Sequence, residues 1–95
     1  MFKQNIQKGI KFLDKKYPNW LDKIDVSELD LNKCNQCIMG QLVGHYLTAV
    51  REYGNIKMER FGFTVDITNH QPQDLNQLTK EWREAIKNKK AQTIS

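Results

Sequence analysis

The residues best suited to chemistry in this sequence are two cysteines, Cys34 and Cys37, which are separated by two residues. A pair with this spacing can bind zinc, take part in thiol–disulfide exchange, or pack as two small apolar side chains. A structural zinc site needs four ligands, and this chain can complete them only with His45 and His70. We therefore predict no metal site and interpret both cysteines as buried packing residues.

The exclusion of zinc depends on the distance from His45 to the cysteines. On one unbroken helix, His45 would lie about 16 Å beyond Cys34 and about 12 Å beyond Cys37 along the axis. Zinc ligands must converge within a few ångströms, so these side chains could not share an ion. A redox pair is another alternative, because thiols in the first turn of a helix have a lowered pKa. The strand–helix–strand setting of thiol oxidoreductases is missing from the pattern, however.

No other pattern in the sequence predicts catalysis. His45 and His70 each stand alone, without a nearby serine or carboxylate to form a nucleophile–base pair. One acidic cluster is present, but it lacks the glycine and the glutamate that a calcium loop carries at fixed offsets. We therefore expect a protein that is not an enzyme and that holds no cofactor. The members of this acidic cluster are Asp22, Asp25, Glu28 and Asp30.

Hydrophobic periodicity predicts a helix and a short helical turn at the start of the chain. Apolar residues recur every three or four positions from Phe2 to Tyr17, which is typical of one face of an amphipathic helix. Pro18 disfavours helical geometry at the residue before it, so this helix should end at Tyr17. A short helical turn that packs on the first helix is predicted at residues 20–24.

A second helix is predicted from about Lys33 to Tyr53, with Asn32 as its N-cap and Gly54 as its C-terminal stop. Apolar residues occupy more than one of its sides, so we expect it to be the central helix, with neighbours on both flanks. Two glycines four positions apart share one face, where a helix backbone or an aromatic ring can approach closely. These glycines are Gly40 and Gly44.

The last helix is predicted to begin at Pro72, because proline suits the first helical position. Asp74 follows in the first turn, where the helix dipole favours a negative charge. Residues 91–95 are expected to form a frayed tail. The apolar residues at helical spacing that should face the core are Leu75, Leu78, Trp82 and Ile86.

The stretch between the second and last helices has a different pattern. Apolar and polar residues alternate from Phe61 to Thr68, which is the period of a half-buried strand. A lone strand needs a partner, and the candidates are residues 56–60, folded back as a hairpin, or the segment around Val26. We expect a short β-ribbon near 56–68, or an extended segment laid over the helices.

Length and composition predict one domain over residues 1–95, and the periodicity above predicts that it is mainly α-helical, with three principal helices and the short helical turn. The chain has 95 residues, of which 39% are hydrophobic and 27% charged, close to ordinary globular values. Its longest apolar run, Cys37 to Met39, is far shorter than the roughly 20 residues of a membrane helix. No signal-peptide pattern opens the sequence. We expect a cytoplasmic protein that does not bind membranes.

The net charge is +4, and lysines concentrate in the first helix and at the end of the last one. Lysines on helix surfaces suit phosphate contacts that do not depend on base sequence. No element has the Arg, Asn and Gln content of a recognition helix. Non-specific nucleic-acid binding is therefore an alternative function. Its candidate contact residues are Lys8, Lys11, Lys15, Lys87, Lys89 and Lys90.

Several short motifs are distributed along the chain, among them Pro18-x-Trp20, Leu29-Asp30-Leu31, Cys34-x-x-Cys37, Gly40-Gln41, Gly62-Phe63 and Leu78-x-x-x-Trp82. Together they resemble those of small proteins from phages and prophages of Gram-positive bacteria. The similarity covers about Ile10 to Ile86 and implies no activity, ligand or residue role. It implies a context, the bacterial host cell, in which small proteins of mobile elements bind and divert host or phage macromolecules.

Among these functions, we favour a binding protein over an enzyme. The leading hypothesis is a phage-type accessory protein that docks on a protein partner, for example to inhibit a host defence or replication factor. Nucleic-acid binding is the alternative, and a thiol or zinc protein centred on the cysteine pair comes third. The candidate partner-binding residues are Asp22, Asp25, Glu28, Asp30 and Phe63.

Overall fold

The computed structural model of the protein describes residues 2–65 and 72–94, and within them it is helical without any β-strand. The prediction of a mainly α-helical fold is confirmed. None of the helices in these two ranges combines the length and the apolar character needed to cross a membrane. The helices are α1 Lys3–Lys16, α2 Trp20–Lys23, α3 Ile38–Val43, α4 Tyr46–Tyr53, α5 Asn55–Arg60 and α6 Pro72–Ile94.

The start of the chain folds as its pattern predicts. Helix α1 ends with Tyr17 as its C-cap, directly before the proline that disfavours a further turn. Helix α2 is the predicted short helical turn. The Trp20 indole N–H donates a hydrogen bond of 2.8 Å to the Asp14 carboxylate, which ties α2 to α1.

The prediction of one continuous second helix is wrong. Residues 31–37 form turns and bends, and the helical part divides into α3 and α4 at Gly44. Gly44 has a φ of +96°, a backbone conformation that residues with a side chain rarely adopt, so α3 ends there. The predicted N-cap, Asn32, is also wrong, because the Cys37 sulfur caps α3 and the His45 imidazole caps α4.

The β-ribbon expected near residues 56–68 is not confirmed. The proposed first strand lies within α5, and residues 61–64 form turns and bends. The remaining part, residues 66–68, lies outside the described residues. Within residues 61–65, the alternation of apolar and polar residues therefore has another cause.

That cause is the C-terminal end of α5, which has the hydrogen bonds of a Schellman motif. The Gly62 N–H donates to the Glu59 carbonyl (3.1 Å), and the Phe63 N–H donates to the Met58 carbonyl (2.9 Å). Gly62 occupies the left-handed position of the motif, with a φ of +74°. The chain reverses at this glycine, and Phe63 turns into the core, where it is 1% exposed.

Helix α6 begins at Pro72, as predicted, and runs through Ile94. The segment predicted to be a frayed tail is therefore helical as far as Ile94. A basic side chain near the end of the helix is held by α1, since the Lys89 ammonium lies 3.4 Å from the Asp14 carboxylate. This contact gives the last turns of α6 a tertiary partner.

The core is centred on Trp82, which is fully buried in the middle of α6. Its ring stacks on Phe63 at a centroid distance of 5.7 Å and meets Trp20 edge to face at 6.4 Å. Gly9 faces the same indole from α1, and the missing side chain there leaves room for the ring. The largest fully buried side chains are Trp20, Trp82, Phe63, Ile6, Leu13, Leu29, Ile38, Met39, Met58, Leu78 and Ile86.

Two aspartates stabilise the connector between α2 and α3. The Asp25 carboxylate accepts hydrogen bonds from the Ser27 hydroxyl and backbone, and Asp30 accepts from the Asn32 backbone (2.9 Å) and side chain (3.0 Å). These bonds hold the pKa of both carboxyls below the usual range, chiefly through the Ser27 hydroxyl for Asp25 and the Asn32 N–H for Asp30. The connector is therefore ordered by its own carboxylates.

Replacing Asp30 by asparagine is expected to destabilise the protein at neutral pH but not in acid. A carboxyl whose pKa is lowered by folding contributes stability above its unfolded pKa of about 3.9, and this stability is lost as pH falls through the folded pKa. Urea unfolding followed by tryptophan fluorescence should show the difference between wild type and Asp30→Asn shrinking from about pH 7 to about pH 2. An equal difference at both pH values would contradict this account.

Candidate functional site

Cys34 and Cys37 lie in the turn that precedes α3, and their environments differ. Cys34 is exposed, whereas Cys37 is 2% exposed. The Cys37 sulfur accepts the Gly40 N–H at 3.2 Å, and the Cys34 carbonyl accepts the Tyr46 N–H at 2.8 Å. The turn thus joins the beginnings of α3 and α4. The prediction that both cysteines are buried is right for Cys37 and wrong for Cys34.

Burial also sets the chemistry of the inner thiol. It raises the pKa of Cys37, and the hydrogen bond from the Gly40 N–H opposes this rise only in part. Because an ordinary cysteine titrates near 8.5, Cys37 is a neutral thiol at pH 7. The thiolate is the nucleophile and the metal ligand, so Cys37 is poorly suited to either role in this conformation. The exposed Cys34 is the more accessible of the two sulfurs.

Alkylation of the native protein is expected to distinguish the two thiols. Cys34 should react with iodoacetamide like a free cysteine, and Cys37 at least about tenfold more slowly, because local opening must expose it first. Peptide mass mapping over a time course measures both rates. A Cys34→Ser variant serves as the control, since it should retain only the slow reaction. Equal rates in the wild type would contradict the assignment.

His45 lies directly after the break between α3 and α4. Its Nδ1 atom accepts the Leu47 N–H at 3.1 Å, so the imidazole works as the N-cap of α4. The straight-helix distance that separated His45 from the cysteines does not apply, because the helix is broken at Gly44. Within residues 2–65 and 72–94, no three His, Cys, Asp or Glu side chains form a metal-binding group. His70 lies outside these residues.

The structure divides the predicted partner-binding residues between surface and core. Asp22, Asp25 and Glu28 are exposed, and Asp30 is half-buried. Asp25 and Asp30 accept local hydrogen bonds, so part of the acidic cluster has a structural role. Phe63 is 1% exposed and cannot contact a partner from the folded state. Its prediction as a binding residue is wrong, because the turn at the end of α5 directs the ring inward.

The predicted nucleic-acid-binding lysines come from both ends of the sequence. The fold brings the helices that carry them into contact, since α1 packs against α6. Lys89 pairs with an aspartate of α1, as described above. The exposed members are Lys8, Lys11, Lys15 and Lys87, and the half-buried members are Lys89 and Lys90.

Leu47 and Ile56 are surface residues that the sequence pattern did not single out. They are 52% and 72% exposed, respectively, whereas the other large apolar side chains of residues 2–65 and 73–92 are buried or half-buried. In the predicted continuous second helix, Leu47 is one of the apolar residues expected to face the core. The break at Gly44 changes the orientation of α4, and Leu47 is exposed instead. The available signal was Gly44 itself, because a glycine after a helical run often marks its end.

The described part of the chain thus offers three features for function: the cysteine turn, the exposed apolar residues of α4 and α5, and the lysines of α1 and α6. They lie on different elements and suit different chemistry. The cysteine turn suits thiol reactions, the apolar residues suit protein contacts, and the lysines suit polyanions. Comparison of the chain with protein-family models, curated proteins and solved structures gives no match.

Proposed function

We propose that this protein is a small accessory protein of a phage or mobile element that acts by binding a protein partner, not by catalysis. The observation that supports the proposal is the exposure of Leu47 and Ile56 on neighbouring helices. An aliphatic side chain that a partner buries contributes about 1.5–3 kcal/mol, so an exposed pair can anchor a protein contact. The host or phage protein that they contact is the expected target.

The two apolar residues lie on consecutive helices. Helices α4 and α5 contact each other, with Gly54 between them. The Tyr46 hydroxyl donates to the Asn55 side-chain oxygen at 3.2 Å, which ties together the beginnings of the two helices. Leu47 and Ile56 directly follow these two residues in sequence. A single exposed leucine is ordinary on a protein surface, but a pair on two joined helices is a candidate anchor.

The surroundings of the pair also fit an interface. Exposed polar residues of both signs accompany the apolar residues on α4 and α5. A polar rim around apolar anchors is the usual arrangement at protein interfaces, and it keeps the unbound surface hydrated. The exposed residues that can form such a rim are Arg51, Glu52, Lys57 and Arg60.

Capture from Gram-positive host cells, with and without phage infection, tests the proposal. Immobilised wild type is expected to retain a protein that a Leu47→Ser/Ile56→Ser variant loses by tenfold or more. The reason is that each buried aliphatic side chain contributes about 1.5–3 kcal/mol. Quantitative mass spectrometry of the eluted proteins measures the loss.

A Gln73→Ser/Lys80→Ser variant provides the matched control, because both residues are exposed on a different helix, α6. It should capture the same protein as the wild type. Thermal unfolding of all three proteins checks that the substitutions leave the fold intact. Equal capture by wild type and the Leu47→Ser/Ile56→Ser variant would refute this surface, and failure to retain any protein under either condition would refute a protein partner.

A further inference from the structure

The charge of the protein is divided unevenly between its terminal helices and the rest of the chain. Helix α1 carries five basic residues and one acidic residue, and α6 carries five basic and three acidic residues. These two helices therefore have a combined charge of +6, while the remainder of the chain has −2, which gives the net +4. The positive charge looks evenly distributed along the sequence, but the excess belongs to the two terminal helices.

The fold places α1 and α6 side by side and parallel. Near the start of α1, the Phe2 N–H donates to the Glu81 carboxylate at 3.0 Å. Near its end, Asp14 lies 3.4 Å from Lys89. The second contact involves later residues than the first in both helices, so the two helices run in the same direction. Their C-terminal ends therefore lie at the same end of the molecule. The lysines that follow these contacts in each helix therefore lie towards the same end of the molecule.

Three lysines form one exposed stripe on α1. Lys8, Lys11 and Lys15 follow each other at steps of three and four residues and are all exposed. The stripe is about 10 Å long, from the rise of 1.5 Å per residue. The single carboxylate of α1, Asp14, accepts the Trp20 indole N–H and pairs with Lys89 of α6. It is thus engaged with groups outside the stripe.

Helix α6 adds exposed Lys80 and Lys87. Between the two helices, a cleft of about 250 Å³ is lined by Ile10, Ala85, Lys89 and three amide side chains. A second cleft, towards the N-terminal end of α1, contains Glu81 and Glu84, so we assign the basic surface to the lysine stripe and the first cleft. The amides of the first cleft are Gln7, Asn88 and Gln92.

We infer that this α1–α6 face is a docking surface for the phosphate backbone of duplex DNA, bound independently of base sequence. Lysine side chains suit phosphate contact, and amides can donate to phosphate oxygens. Base readout would use arginine, but α1 has none, and the Arg83 guanidinium of α6 donates to the Leu29 carbonyl at 2.7 Å. Single strands bind aromatic platforms, whereas the rings of Phe12 and Trp82 pack inward.

Fluorescence anisotropy with a labelled duplex of mixed sequence, titrated between about 50 and about 200 mM salt, tests the inference. The variant Lys8→Gln/Lys11→Gln/Lys15→Gln is compared with the control Lys23→Gln/Lys33→Gln/Lys57→Gln. Both triples remove the same charge from exposed positions. The stripe variant should lower the salt slope by about 2–3, since each phosphate contact contributes about 0.9. The control should lower it by less than about 1.

Three results would overturn the inference. The first is absence of duplex binding at the lowest salt concentration, and the second is an equal effect of the two triple variants on the salt slope. The third is displacement of the duplex by polyglutamate at matched charge, which would indicate an acidic protein partner. A single-stranded probe should bind more weakly than the duplex. The inference is independent of the proposed protein partner, because the stripe variant keeps Leu47 and Ile56 and should capture that partner like the wild type.

Discussion

Replacing Trp82 by alanine is expected to lower the free energy of unfolding by about 3–5 kcal/mol. The side chain is fully buried, stacks on Phe63 and meets the edge of Trp20, so its removal opens a cavity between three helices and the turn after α5. Its indole N–H also donates to the Gly62 carbonyl, which would lose this partner. Because domains of this size are stable by only about 5–15 kcal/mol, one substitution removes a large share of the total.

Urea unfolding followed by far-UV circular dichroism measures the loss, since that signal does not depend on the deleted indole. Trp82→Phe is the matched variant: it retains an aromatic ring for stacking but lacks the N–H donor. It should cost less than the alanine variant. A loss below about 1 kcal/mol for Trp82→Ala would mean that the core is not centred on this residue.

Replacing Gly9 by alanine is expected to destabilise the protein by about 3 kcal/mol, although alanine is the better helix former by about 1 kcal/mol. An added Cβ would stand 2.1 Å from the Phe61 carbonyl oxygen and 3.1 Å from the Trp82 ring. The oxygen belongs to the backbone that ends α5, so no side-chain rotation relieves the contact. Helices α1 and α5 would have to separate, and the aromatic core would lose packing.

The control for this substitution is Gln4→Ala, an exposed position on the same helix. It should leave stability within about 0.5 kcal/mol of the wild type, as surface substitutions usually do. Thermal and urea unfolding of the Gly9→Ala and Gln4→Ala proteins separate the effect of the close contact at residue 9 from the effect of helix propensity. A Gly9→Ala protein that is as stable as the wild type would show that α1 and α5 do not approach each other this closely.

The two proposed binding surfaces respond to different solution conditions. Contacts through Leu47 and Ile56 depend on apolar burial and should change little with salt. Contacts through the lysine stripe of α1 should weaken steeply as salt rises. Salt dependence therefore separates the two surfaces even before variants are compared. Chemistry at Cys34 would instead depend on thiol reactivity and pH.

Local chemistry alone determined the parts of the fold that depend on near neighbours in sequence. Pro18 ends α1 at the expected residue because proline restricts the residue before it, and Pro72 begins α6. The apolar stripes of these helices predicted their buried faces, since a period near 3.6 residues places one stripe on one side. Leu13, Leu78 and Ile86 are fully buried as that pattern requires.

Two glycines show where local pattern permits more than one structure. The spacing predicts a packing position for Gly44 inside a long helix, but Gly44 ends α3 with a positive φ, and a Cβ at this position would have no neighbouring atom within 4 Å. Gly62 lay within an apparent strand period, but it closes α5 in a left-handed turn. Alternation over a few residues fits a strand or a helix end equally well, and tertiary contacts decide between them.

The sequence by itself thus determined a helical chain with a CxxC pair, a small net positive charge and amphipathic first and last helices. Only the tertiary structure decided that Cys34 is exposed and Cys37 buried, that Phe63 lies in the core, and that the lysine-bearing helices α1 and α6 pack against each other. Periodicity acts over one helical turn, whereas these outcomes depend on residues that meet in space after long separation in sequence. Their relative positions follow from packing around Trp82, which no local pattern encodes.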